Sequence, residues 1–209
     1  MNNLYKIIIL SLLQFFILSC KGPESDNKKF FQSIDNFDMK IYSSKGEKLF
    51  SINSPYSYYE KKSNIFNLDK TTILLYKDNQ TEYIINADKS KLSNNKKLLN
   101  LKGNVLVKRI GEQTEKLYAN SFRWNISNSE YMLIGNVKFE NKLITLSSNK
   151  AILNKLTNII EFFNPVEYIM KDNSKEIYEI KSENAFYNIN TKSVSFKSKD
   201  ERVRSKIYF

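Results

Sequence analysis

Histidine is absent from this 209-residue chain, and cysteine occurs once, at Cys20. The first absence excludes Ser-His-Asp and Cys-His catalysis and removes the commonest metal ligand. The second excludes an internal disulfide and any site built from several thiolates. Glycine is limited to five positions, proline to three and alanine to four. So little alanine argues against helical bundles. No carboxylate pair on a recognisable frame and no glycine-rich phosphate loop stands in the sequence, so neither an enzyme nor a bound metal or cofactor is expected.

The chain is instead rich in Tyr (13), Phe (14) and Ile within a 41% hydrophobic composition. These residues fit pleated, half-buried surfaces, and the length suits one all-β domain. The formal net charge is +11; Lys6 is the only charge among the first nineteen residues, so the chain from Cys20 onward carries +10. That balance suits an anionic partner: nucleic acid, a membrane surface or an anionic glycolipid. Lys, Asn, Ile, Tyr and Phe are inflated together, however, and a shared base bias explains the charge more simply.

Met1 to Lys6 forms a short n-region, and Ile7 to Leu18 is apolar apart from Ser11 and Gln14. Twelve helical residues reach about 18 Å against about 30 Å of bilayer hydrocarbon. That is the length of a signal-peptide core rather than a membrane span. It runs into Ile17-Leu18-Ser19-Cys20, which resembles the lipobox of bacterial lipoproteins. The resemblance implies a signal peptide over 1–19, cleavage before Cys20 and acylation of Cys20 as a lipid anchor. Residues 20–35, polar and with Gly22 and Pro23, read as a tether. The folded domain is expected over 36–209.

From Phe37 onward the chain alternates with a period of two residues, the signature of half-buried strands. The alternation also repeats. Taking Ser54, Ala87, Ala119, Ser148 and Ser182 as origins, with spacings of 33, 32, 29 and 34, the residues two and four positions before each origin and three and five after it are apolar apart from Ser57, Ser90 and Glu115. A polar reversal follows, and a second strand then returns through offsets +12 to +20. The parity changes between the origin and +3, so the chain must bend or bulge there for both sets to face one side. Gly103 and Gly135 fall at +16, mid-strand, where glycine marks a bulge or close approach; they are expected to set shape. Asn164-Pro165 takes that place in the fourth copy. A fixed period outranks local pattern in deciding a fold. The pattern predicts about five two-strand repeats stacked along one axis, each adding an apolar row to a shared interior.

The signatures Ala87 to Val105 and Ala119 to Val137, each ending in Leu-x-Gly-Asn-Val or its close variant Leu-Ile-Gly-Asn-Val, resemble the LptC group of lipopolysaccharide-export proteins. That group lies within the β-jellyroll superfamily shared with LptA and the N-terminal part of LptD. The resemblance covers Phe37 to Arg204. It implies an open, V-shaped antiparallel β-jellyroll (a β-taco) whose interior holds acyl chains of lipopolysaccharide. It also implies a membrane tether at the periplasmic face of the inner membrane, an inner-membrane ABC transporter as donor and an LptA-like bridge protein joined by edge-strand pairing. LptC proteins usually carry an N-terminal transmembrane helix; here a lipobox stands in its place, which leaves inner and outer membrane both open.

An open fold of this kind would line a trough suited to acyl chains. The expected lining is Leu117, Phe122, Trp124, Leu133, Val137, Phe139, Leu146, Leu153, Phe162, Val166 and Tyr168. The same residues would serve equally as an ordinary packed core. Lys108, Arg109 and Arg123 are candidates to meet anionic sugars at the mouth. The basic segment Val194 to Phe209 suits either edge docking or protection of the edge. The alternative function is a structural or adhesive surface lipoprotein with a closed core. Nucleic acid is not an expected partner of an exported chain.

Overall fold

The computed structural model describes residues 31–208 apart from 94, 96, 112–113, 128–129, 173–174 and 200–201. The expected signal peptide, Cys20 and the tether as far as residue 30 lie outside the described residues.

Twelve strands make up the regular structure of the described residues: β1 Phe31–Tyr42, β2 Lys48–Glu60, β3 Ile65–Lys77, β4 Gln80–Ser93, β5 Leu98–Arg109, β6 Glu115–Asn125, β7 Glu130–Glu140, β8 Ile144–Asn154, β9 Ile159–Asp172, β10 Lys175–Asn188, β11 Val194–Lys197 and β12 Arg204–Ile207. They form one antiparallel sheet in simple sequence order, with β12 beside β11 on the edge of β10. The sheet is open, with β1 at one end. The all-β, open antiparallel repeat expected from the sequence is therefore the fold. One boundary differs. Residues 31–35, expected in the tether, pair with Tyr56–Glu60 of β2. Asn36, at φ 54°, breaks the alternation there and hides this half-strand from a period-2 reading.

From β4 to β10 the ladders are interrupted near mid-strand. The ladder slips at Asn86/Lys89, Lys102/Val105, Tyr118/Ser121, Ile134/Val137, Ser147/Lys150 and Ser182/Asn184. These slips fall at the repeat origins and at offset +16, and together they form a corner line across the sheet. A bulge inserts one residue, bends the strand and restores inward parity on the far side. The corner divides the sheet into two walls. Residues 115–119 of β6 and 137–140 of β7 lie on the first wall, and residues 121–125 and 130–134 on the second.

The corner is built in two ways. In two repeats Ala87 or Ala119 faces a Gly-Asn pair on the returning strand. Gly103 and Gly135 have φ of +82° and +78°, and Asn104 and Asn136 follow at 44° and 49°. A Cβ on Gly103 would lie 2.5 Å from Asp88 Oδ2, and one on Gly135 2.8 Å from Asn120 Nδ2. Both positions thus require a conformation that L side chains rarely adopt and leave no room for one. The other repeats place serine at the origin. Its hydroxyl donates to the carbonyl two residues ahead, in Ser54 (2.7 Å), Ser148 (2.9 Å) and Ser182 (2.9 Å). Opposite these serines stand Lys70 at φ 51°, the cis peptide Asn164–Pro165 and Ser198.

The reversals at offset +6 also repeat. Asn125, Asn154 and Asn188 each accept, through Oδ1, the N–H two residues on, a side-chain turn that starts the hairpin. The walls face one another across the interior with an offset of several strands. Phe50 of β2 packs on Trp124 of β6 with ring centroids 4.8 Å apart, and Phe139 of β7 on Tyr187 of β10 at 4.6 Å.

Candidate functional site

The interior of the V is predominantly apolar, interrupted by Glu115 and by small buried hydroxyl residues such as Ser90 and Thr71. All eleven residues expected to line it face inward. Leu117, Phe122, Trp124, Leu133, Val137, Phe139, Leu146, Phe162, Val166 and Tyr168 are buried, and Leu153 is half-buried against them. Gly103 and Gly135 lie on the corner line. The rows therefore meet as the repeat requires, and in this conformation they fill the space between the walls. Two small clefts remain where the walls meet at the strand ends. One, of about 40 Å³, is lined by Leu75, Ile85, Phe122, Tyr131 and Leu153 with Glu82, Lys155 and Asn158 at its rim. The other, of about 30 Å³, lies among Val107, Leu117, Phe139, Ile160 and Glu115. Each is close to the volume of one water molecule, about 30 Å³.

A charged cluster borders the second cleft. Glu115, the first residue of β6, is 5% exposed. Its Oε1 accepts hydrogen bonds from the Tyr187 hydroxyl and Lys192 Nζ, both at 2.5 Å, and its Oε2 accepts from Arg109 Nη1 at 3.2 Å. Burial alone would raise the carboxyl pKa, but the bonds from Lys192, Tyr187 and Arg109 outweigh it and hold the group below the usual carboxylate range. Burial, and then the same carboxylate, push the Tyr187 hydroxyl above its ordinary value. Tyr83, beside the cluster, is pushed up to about 12, chiefly by burial.

Of the three basic residues expected at the mouth, Arg109 is there, committed to Glu115. Lys108 and Arg123 have the opposite parity and stand on the outer face, Lys108 directly across from Lys116. The alternation carries this distinction, because neighbouring residues of a strand face opposite sides. Glu115 itself occupies offset −4 of its row. The other four copies place Phe50, Tyr83, Ile144 and Tyr178 there. A lone carboxylate in an apolar row is the sequence signal of the cluster, whereas its partners 72 and 77 residues away are not readable from local pattern.

Outside the V, a polar groove of about 710 Å³ runs along the corner at the C-terminal end. Lys138, Glu167, Lys181, Glu183, Arg202 and Arg204 are among its lining residues. Two of its lysines already pair with carboxylates, Lys181 with Glu167 at 3.1 Å and Lys138 with Glu140 at 2.8 Å.

The family model "Lipopolysaccharide-assembly, LptC-related" matches residues 7–132, more than half of the chain. The chain belongs to the LptC family. It is a component of lipopolysaccharide transport, a process that LptC-like proteins serve in the periplasm as transport components rather than enzymes. Strands β8 to β12 lie wholly beyond the matched residues and continue the same sheet. A solved structure of LptH, the LptA-homologous periplasmic component of the lipopolysaccharide transport device of Pseudomonas aeruginosa, aligns over 76% of this chain and 94% of its own. The identity is 9% and the TM-score 0.39, too low to bear on the argument. The ribosome maturation factor RimM of Buchnera aphidicola subsp. Cinara cedri (strain Cc) is 33% identical over 134 residues, 59% of this chain and 70% of that protein. Identity accumulates readily in a chain with 29 Lys, 26 Asn and 23 Ile.

Proposed function

We propose that this LptC-family chain is a membrane-anchored periplasmic module of lipopolysaccharide export. In this reading the apolar interior of the V takes up acyl chains, delivered by an inner-membrane ABC transporter and passed to an LptA-like bridge. The observation that carries it is the predominantly apolar inward surface, contributed by successive repeats along the whole sheet. Such a surface runs in the direction in which a lipid would be handed on. Cys20, through its lipobox context, supplies the anchor; two or more acyl chains hold a protein stably to a membrane. Among the described residues the β11/β12 end is an edge of the sheet and suits strand addition to a neighbouring module.

The filled interior favours a second reading, a structural β-repeat lipoprotein with a dry core. One experiment separates them. A photo-crosslinking residue replacing Phe122 or Leu146 captures lipopolysaccharide in cells if the interior is the lipid site, while one at the outward-facing Lys150 does not. Capture at Lys150 alone would overturn the transport reading. Absence of capture everywhere, with surface lipopolysaccharide unchanged on depletion of the protein, would support the structural one.

A further inference from the structure

The geometry points to a latch: Glu115, Tyr187 and Lys192 hold the mouth of the V shut, and their release is the step that admits acyl chains. The admission step rests on the interior being the lipid site.

Glu115 lies at the end of its row farthest from the corner on the first wall. Tyr187 lies at the corresponding far end on the second wall, and Lys192 in the turn beyond it. Both bonds therefore cross the mouth. Arg109, in register with Glu115 on neighbouring β5, is on the same wall and crosses nothing. The cleft that Glu115 and Arg109 line is small, about 30 Å³, so the walls lie close together beside the charges. The chemistry also suits release. Burying a charge is expensive unless it is paired, and apolar residues in place of a buried ion cluster are often as stable or more so. Four of the five repeats use such a residue at this offset. A hydrogen-bonded carboxylate differs in one respect: when the walls part, it exchanges its partners for water, which an apolar seam cannot do. Arg109 stays with Glu115 throughout and keeps the opened carboxylate neutralised.

The test uses the full chain carrying Cys20→Ser, with nitroxide labels at Lys116→Cys on the first wall and Asn190→Cys on the second. The double variant Tyr187→Phe/Lys192→Met removes both crossing bonds, keeps the aromatic ring and leaves Glu115 paired with Arg109, so the fold is spared. A second, longer label-to-label distance is expected in the double variant and not in Arg109→Gln. Uptake of fluorescent lipopolysaccharide should quicken about tenfold in the double variant, as the open state gains population. An unchanged distance distribution would overturn the latch, whatever the lipid does. A longer distance with unchanged uptake rate would overturn its role in admission. If no protein takes up lipopolysaccharide, the reading of the interior as a lipid site fails and admission with it, while the distances still decide the latch.

Discussion

At the corner of the V, strand after strand carries its own device: Lys70 at positive φ, Gly103-Asn104, Gly135-Asn136, the cis peptide before Pro165, and serine hydroxyls returned to their own backbone. At the mouth the wall-to-wall polar contact is concentrated in one cluster, centred on Glu115. The corner is fixed by backbone conformation and short-range hydrogen bonds, repeated so that no single strand decides the bend. Closure depends on a few side chains drawn from β5, β6 and the β10–β11 region. The difference teaches that the bend angle belongs to the whole sheet, whereas the gap between the walls is set locally and is the softer coordinate.

The comparison breaks most severely if the walls lose their shared packing. Phe139 touches both Tyr187 and Phe162 and is 1% exposed. Phe139→Ala should destabilise the fold by about 3–5 kcal/mol, read from urea denaturation, since it leaves a cavity between the walls. Next in size is the corner. Gly135→Ala imposes a left-handed conformation on an L residue and presses its Cβ against Asn120; a loss of about 1–3 kcal/mol is expected. Gly103→Ala should match it, because Asp88 occupies the equivalent place. A much smaller loss at either glycine would show that neighbouring strands can carry the bend alone.

Glu115→Gln probes the mouth. Replacing a charge-assisted acceptor should cost about 1.5–3 kcal/mol at neutral pH. The pH dependence has a definite sign. The carboxyl pKa is lower in the folded protein than its ordinary 4.5. Its contribution is therefore complete above the unfolded value and is lost as pH falls through the folded one. Denaturation curves of wild type and Glu115→Gln should differ at pH 7 and converge below pH 4.5. The smallest effect belongs to Asn104→Ala. Its amide donates to Asp88 Oδ2 at 2.8 Å in an exposed position, and with the added backbone strain a loss of about 1 kcal/mol is expected from the same assay.

The corner was legible in the sequence because parity is local. When inward residues shift from odd to even positions, as between Ala119 and Phe122, the chain must bend or bulge to keep both rows inside. The inward orientation of the eleven named residues followed from that rule. The half-strand at 31–35 was not legible, because Asn36 interrupts its alternation. Nor was the mouth. Which part of one wall meets which part of the other depends on how far the twisted sheet folds over, and that offset has no local sequence signature. Glu115 is readable as a charge in an apolar row, whereas Tyr187 is one more aromatic in its own row and Lys192 an ordinary turn residue. Nor does the sequence separate a trough from a core, since the same inward residues serve both. Here the interior is filled, and lipid entry requires the walls to part.

The central claim is that the corner stays fixed while the mouth yields to lipid. Amide hydrogen exchange of the wild-type chain, with and without purified lipopolysaccharide, tests it most directly. The account predicts that exchange changes at residues 115–118 and 186–192, where the walls meet, and stays the same at the corner amides of 103–105 and 135–137. Equal change at corner and mouth, or none at the mouth under saturating lipid, would contradict it.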